Sequence, residues 1–150
     1  MRYPFPLAAI LVFAAFLSAC ASTPQFAPTP PPPPSPFSTP GHPESPAIAS
    51  LMDNARAEYV AGRPANAAAS LERALRIEPR NPRLWQELSR VRLDQKEFAQ
   101  AESFAQRSNS WAGDDNALRF ENWQLIAKAR EARGDAGGAK AALDAAERLK

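Results

Sequence analysis

Two side chains in this 150-residue chain could do thiol or imidazole chemistry, Cys20 and His42, and both precede residue 47. From residue 47 onward there is neither cysteine nor histidine. That excludes the usual nucleophile–base pairs there, and with them every imidazole or thiolate metal site. His42 stands between Gly41 and Pro43 in a proline-dense stretch, a setting that cannot hold a catalytic or metal-binding geometry, and it reads as a solvated linker residue. The adjacent acids Asp114-Asp115 precede a helical pattern and read as loop and capping residues. No glycine-rich phosphate loop can be placed, because no strand pattern precedes one. The expectation is therefore a protein that is not an enzyme and takes no cofactor and no metal. With 18 Lys plus Arg against 16 Asp plus Glu, nucleic-acid binding is not indicated either.

The elements that place Cys20 are those of a secretory signal. Arg2 is followed by the apolar run Leu7 to Leu17 and then by small residues, a charged, greasy and cleavable layout. The run is too short to span a bilayer, which needs about 20 apolar residues. The string Leu17-Ser18-Ala19-Cys20 resembles the lipobox of bacterial lipoproteins. That resemblance implies diacylation of the Cys20 thiol, cleavage before it and acylation of the new amino group. Several acyl chains hold a protein on a membrane where one does so only marginally, so membrane contact is expected through the lipid anchor alone. Ala21, where inner-membrane retention signals favour Asp, implies sorting to the outer membrane, with the protein facing the periplasm. Once the thiol carries lipid, no cysteine remains for a disulfide, and folding must rest on packing.

From residue 20 to 46 the chain is dominated by proline, including the run Pro30 to Pro34. Fixed φ and missing amide donors exclude helix and sheet and predict a disordered, semi-rigid spacer. At ~3.1 Å per residue it reaches at most ~80 Å. A proline-reading groove on another protein is an alternative use of the same run. The chain thus divides into a signal (1–19), a lipidated cysteine with Pro-rich linker (20–46) and one domain (47–150).

Three segments of that domain align: 48–81, 82–115 and 120–150, the first two with a period of 34 residues. Small residues recur together as Ala55, Ser89 and Ala127, as Ala67, Ala101 and Ala139, and as Ala74, Ser108 and Ala146. Close approach of antiparallel helices requires small side chains at such positions. Large residues recur as Leu51, Trp85 and Trp123, and as Ile77, Trp111 and Leu149. Gly62 and Gly134 fall where a first helix must end left-handed, with Lys96 in the equivalent middle place. Asn81-Pro82 reads as a cap followed by a first-turn proline, and Asp135 as the cap of the last helix. Residues 116–119 are an insertion of about one turn that lengthens a helix.

This pattern resembles the tetratricopeptide repeat family over nearly all of 48–150. The resemblance implies an all-α fold of three helix-turn-helix repeats in a short right-handed superhelix, with the first helix of each repeat lining a concave groove. The three tryptophans, on recurring apolar positions, are expected in the core, with Trp85→Ala costing ~3–5 kcal/mol. Carried over residue by residue, the groove is expected to show Met52, Arg56 and Tyr59, then Arg83, Gln86 and Arg90, then Gln124 and Lys128. Arg56, Arg90 and Lys128 would form a basic row suited to an acidic or C-terminal peptide segment. Glu121 and Glu131 could instead balance the row, leaving an ordinary solvated face. The last helix, with no successor and many small residues, is a second candidate surface, for self-association or a partner.

The order of lipobox, proline-rich tether and short repeat domain resembles the outer-membrane lipoprotein activators of class A penicillin-binding proteins, the bifunctional peptidoglycan synthases, of pseudomonads and relatives. It implies an adaptor that reaches through the cell wall to an inner-membrane glycosyltransferase and transpeptidase. The alternative is a pilotin or outer-membrane assembly lipoprotein that binds an extended segment of a secretin or barrel protein, though such families usually carry more repeats.

Overall fold

The computed structural model describes residues 45–150; the signal, the Cys20 lipidation site, His42 and the linker up to residue 44 lie outside the described residues. Six helices follow in order: α1 (Pro46–Val60), α2 (Pro64–Ile77), α3 (Pro82–Asp94), α4 (Phe98–Trp111), α5 (Asn116–Ala132) and α6 (Ala136–Glu147). They pack as three antiparallel pairs, α1 with α2, α3 with α4 and α5 with α6, and the pairs stack through α2 against α3 and α4 against α5. No strand occurs among the described residues. The fold is the expected all-α array of tetratricopeptide-like repeats.

Local chemistry sets the helix boundaries. Ser45 caps α1, accepting from the Ile48 amide, and Pro46 is its first residue. The Asn81 side chain accepts from the amides of Arg83 and Leu84, with Pro82 opening α3. Asp115 and Asp135 cap α5 and α6, accepting from Leu118 N at 2.9 Å and Gly138 N at 2.8 Å. Each satisfies at least one of the donors that a helix start leaves without a partner. Residues 116–119 form the first turn of α5, as the insertion predicts. The first helix of every repeat ends in a left-handed residue: Gly62 at φ 72°, Lys96 at φ 62° and Gly134 at φ 81°. Only Lys96 carries a Cβ there, and it holds a conformation that costs a non-glycine residue about 1 kcal/mol.

All nine recurring small residues are buried, so they set the inter-helix distance. The middle repeat uses two serines, and both bond to backbone. Ser89 Oγ donates to the Ala101 carbonyl and Ser108 Oγ to that of Pro82, each at 2.7 Å, so α3 and α4 are clamped reciprocally. Asn122, fully buried on α5, extends this clamp to the third repeat by donating to Ser108 Oγ and Asn109 Oδ1. A second set of ties runs outside the core. Arg92 reaches back from α3 to Glu72 of α2 at 2.7 Å, and Arg130 from α5 to Glu102 of α4 at 2.7 Å. The arginines hold equivalent places in their repeats. In the first repeat, with no described helix before it, Glu58 occupies that place and binds Arg63 and Asn66 across the α1–α2 turn instead.

The recurring aromatic positions depart from expectation. Trp85 and Trp123 are only partly buried, and Trp111 is 43% exposed, as Ile77 is at 53%. Trp111 is therefore not a core residue. Ile77 and Trp111 end α2 and α4, and no later turn of their own helix extends over them.

Candidate functional site

The first helices α1, α3 and α5 line one concave face. A cleft of about 390 Å³ runs across it from Tyr59 on α1, past Arg90, Leu93 and Asp94 on α3, to Gln124 and Lys128 on α5. A second concavity of about 560 Å³ begins at the same Gln124 and Lys128 and continues over Ala136, Ala139, Lys140 and Leu143 of α6. Because the two share residues, they form one track from the first repeat to the open end of the stack. Leu143 is 49% exposed on that end, with no further helix over it among the described residues.

Five of the eight expected groove residues hold ion pairs or hydrogen bonds from their own chain. The Tyr59 hydroxyl donates to Asp94, joining α1 to α3. Arg90 lies 2.6 Å from Glu121 of α5 and 3.8 Å from Glu87. Arg56 pairs with Asp53 at 3.7 Å, and Arg83 with Asp115 at 3.5 Å. Lys128 makes no ion pair among the described residues and is exposed where the two concavities meet. The basic row is thus present in register, but Glu121, Glu87 and Asp53 answer its arginines.

Met52 and Gln86 do not face the groove. Met52 belongs to the core cluster around Leu84 and Leu88, and Gln86 is buried with its amide donating to Glu121 at 3.1 Å. They hold the same place in successive repeats, and there the next repeat closes over the side chain. Gln124, the third member of the set, has no further repeat over it among the described residues and stays half-exposed in both concavities. At this repeat position, exposure is decided by the neighbouring repeat.

Electrostatically, Glu87 is the unusual group on this face. Burial pushes its carboxyl up from the ordinary glutamate range and Glu121 adds to the push, while Arg90, Arg56 and Arg83 pull it down without prevailing. Among the described residues no cluster of His, Cys, Asp or Glu could hold a metal ion, and no helix is long and apolar enough to cross a membrane. What the face offers chemically is recognition: apolar contact from Leu93 and Leu143, hydrogen bonding from Gln124 and a free cation in Lys128.

Residues 60–121 match the tetratricopeptide repeat family. The globular C-terminal domain of LpoP from P. aeruginosa superposes with a TM-score of 0.67 at 42% sequence identity, over 69% of this chain and 97% of that one. The N-terminal domain of stress-induced protein-1 (STI-1) from C. elegans superposes with a TM-score of 0.65 at 16% identity, over 69% of this chain and 84% of that one, a likeness of fold alone. No curated protein matches the sequence.

Proposed function

The chain belongs to the tetratricopeptide repeat family and is a relative of LpoP, and from that premise we propose that it is an outer-membrane lipoprotein whose repeat domain binds and activates an inner-membrane class A peptidoglycan synthase. Its role is that of a non-catalytic adaptor. Cys20 carries the lipid, the proline-rich linker supplies reach of up to ~80 Å, and the domain presents the concave track to the partner. The observation that carries the proposal is the 42% identity to the LpoP domain over 97% of its length, joined to a lipobox-like string and a proline tether in the same chain.

The track fits an extended segment of a partner better than a small molecule, because it is open, shallow and continuous across three repeats. Lys128 and Gln124 are its natural anchors, for a carboxylate and a backbone amide respectively. The other cations, Arg56, Arg83 and Arg90, shape the face and hold its carboxylates. Binding would raise synthase activity only as far as the adaptor prefers the active state over the inactive one.

Photo-crosslinking in cells tests this reading, with the photoreactive residue placed at Gln124 and, separately, at Leu143. A class A synthase as the main adduct from Gln124 is the expected result. A secretin or barrel protein in its place would overturn the proposal in favour of an outer-membrane assembly role.

A further inference from the structure

At the edge where the α2–α3 loop and the start of α3 meet α4, among residues that line neither concavity, two arginines lie over two indoles. The Arg80 guanidinium sits 5.1 Å from the centre of the Trp111 ring, and that of Arg107 sits 4.9 Å from the Trp85 ring. The cluster is continuous. Trp85 packs on Phe104 at 5.5 Å and donates its indole N–H to the Pro79 carbonyl at 2.8 Å. That fixes the α2–α3 loop, which follows Ile77 and carries Arg80, while Arg107 and Trp111 lie one turn apart on α4. Ile77 and Trp111 are half-exposed and both arginines are exposed.

The charge on this edge is not answered from within. Among the described residues neither Arg80 nor Arg107 forms an ion pair, in contrast to Arg56, Arg83 and Arg90 on the concave face. Glu78, the acid nearest Arg80 in sequence on that loop, accepts from Asn81 instead. An exposed arginine held over an indole has already lost part of its side-chain freedom, so it gives up less on binding a carboxylate. Tryptophan and arginine beside an exposed aliphatic group are also the residue types that dominate protein interfaces.

We propose that Ile77, Arg80, Arg107 and Trp111, held in place by Trp85, form a second docking surface that takes an acidic segment of a partner protein, carboxylates meeting the two guanidiniums and an apolar side chain seated against Ile77 and Trp111. This surface is separate from the concave track and operates whichever protein occupies that track. An adaptor with both faces engaged would gain from effective concentration what neither contact supplies alone.

The test uses the mature lipidated chain in phosphatidylcholine nanodiscs, labelled with 5-fluorotryptophan. The 3 tryptophans give one fluorine resonance each, and Trp123 lies outside the cluster as an internal reference. The probe is an acetylated Asp-Glu-Leu-Asp-Glu peptide, with Asn-Gln-Leu-Asn-Gln as its uncharged counterpart. Saturable shifts of the Trp85 and Trp111 resonances with the acidic peptide only, weakened about tenfold or more in the Arg80→Gln/Arg107→Gln variant, are expected. An unchanged Trp123 resonance shows that the variant is folded. No shift, an equal shift with the uncharged peptide, or retention of binding in the double variant would overturn the proposal. So would movement of both resonances on adding phosphatidylglycerol to the discs without peptide, which would assign the surface to anionic lipid.

Discussion

The two faces of this domain carry arginines in similar number and use them in opposite ways. On the concave side Arg56, Arg83 and Arg90 are met by Asp53, Asp115, Glu87 and Glu121; on the edge Arg80 and Arg107 rest on Trp111 and Trp85 and form no ion pair among the described residues. A cation in a repeat is therefore not by itself a binding group. What matters is whether the chain brings an acid to it, and that acid comes from a neighbouring turn or the next repeat. The concave face keeps one free cation where its two concavities meet, and the edge keeps two, each held over an indole.

Truncating the two indoles should separate their roles by the largest margin. Trp85 is partly buried against Phe104, with its N–H bonded to Pro79, so Trp85→Ala should cost about 2–3 kcal/mol, at or below the lower end of the range for buried aromatics. Trp111→Ala should cost less than about 1 kcal/mol, because 43% of the residue is already exposed. Urea unfolding of the two variants measures both values. Equal losses would mean that Trp111 is a core residue and the edge is not a free surface.

A smaller effect belongs to the turns that present the first helices. Lys96→Gly should stabilise by about 0.5–1 kcal/mol, since glycine takes the left-handed φ of 62° without the Cβ penalty. The same unfolding experiment reads it, and a loss would mean that the lysine side chain contributes a contact that outweighs its strain.

Two glutamates give the smallest effects, and with opposite sign. Burial raises the Glu87 carboxyl, so the folded state binds its proton more tightly than the unfolded state does. Stability from that difference is present at low pH and lost as pH rises through the folded value. Glu87→Gln should therefore raise Tm at pH 7 and lose that advantage below the ordinary glutamate range. Glu58 is the reverse: its hydrogen bonds from Arg63 and Asn66 hold it at about 2, against an ordinary 4.5. Its contribution is present above the ordinary value and disappears as pH falls towards 2, so Glu58→Gln should flatten the acid limb of the Tm profile. Thermal melts from pH 2 to pH 8 check both, and matching slopes in the two variants would remove the distinction.

Much of the scaffold was legible in the sequence because it is local. The Asn81-Pro82 cap, the left-handed Gly62 and Gly134, and the turn added by residues 116–119 depend on neighbours within a few positions. The nine small residues were legible because three copies repeat the same contact. The site was less legible, for a physical reason: exposure in a stacked array is set by the next repeat. Met52 and Gln86 are covered by a following repeat while Gln124 is not, and Ile77 and Trp111 stay open at helix ends although they recur like core positions. The counter-ions were half visible, Glu121 being in sight as a balancing charge and Glu87 not. The Arg107–Trp111 spacing of one helical turn was the available hint of the edge surface, but the stacking of Arg80 on Trp111 depends on a loop from another repeat.

The most direct measurement is glycan polymerisation by the purified class A synthase of the same organism, reconstituted in membranes, with the full lipidated chain added. Faster polymerisation, lost with Lys128→Glu and Gln124→Arg together while the variant keeps its wild-type melting temperature, is the expected result. An unchanged rate, with no complex detected between the two proteins, would contradict the adaptor's assignment to a peptidoglycan synthase.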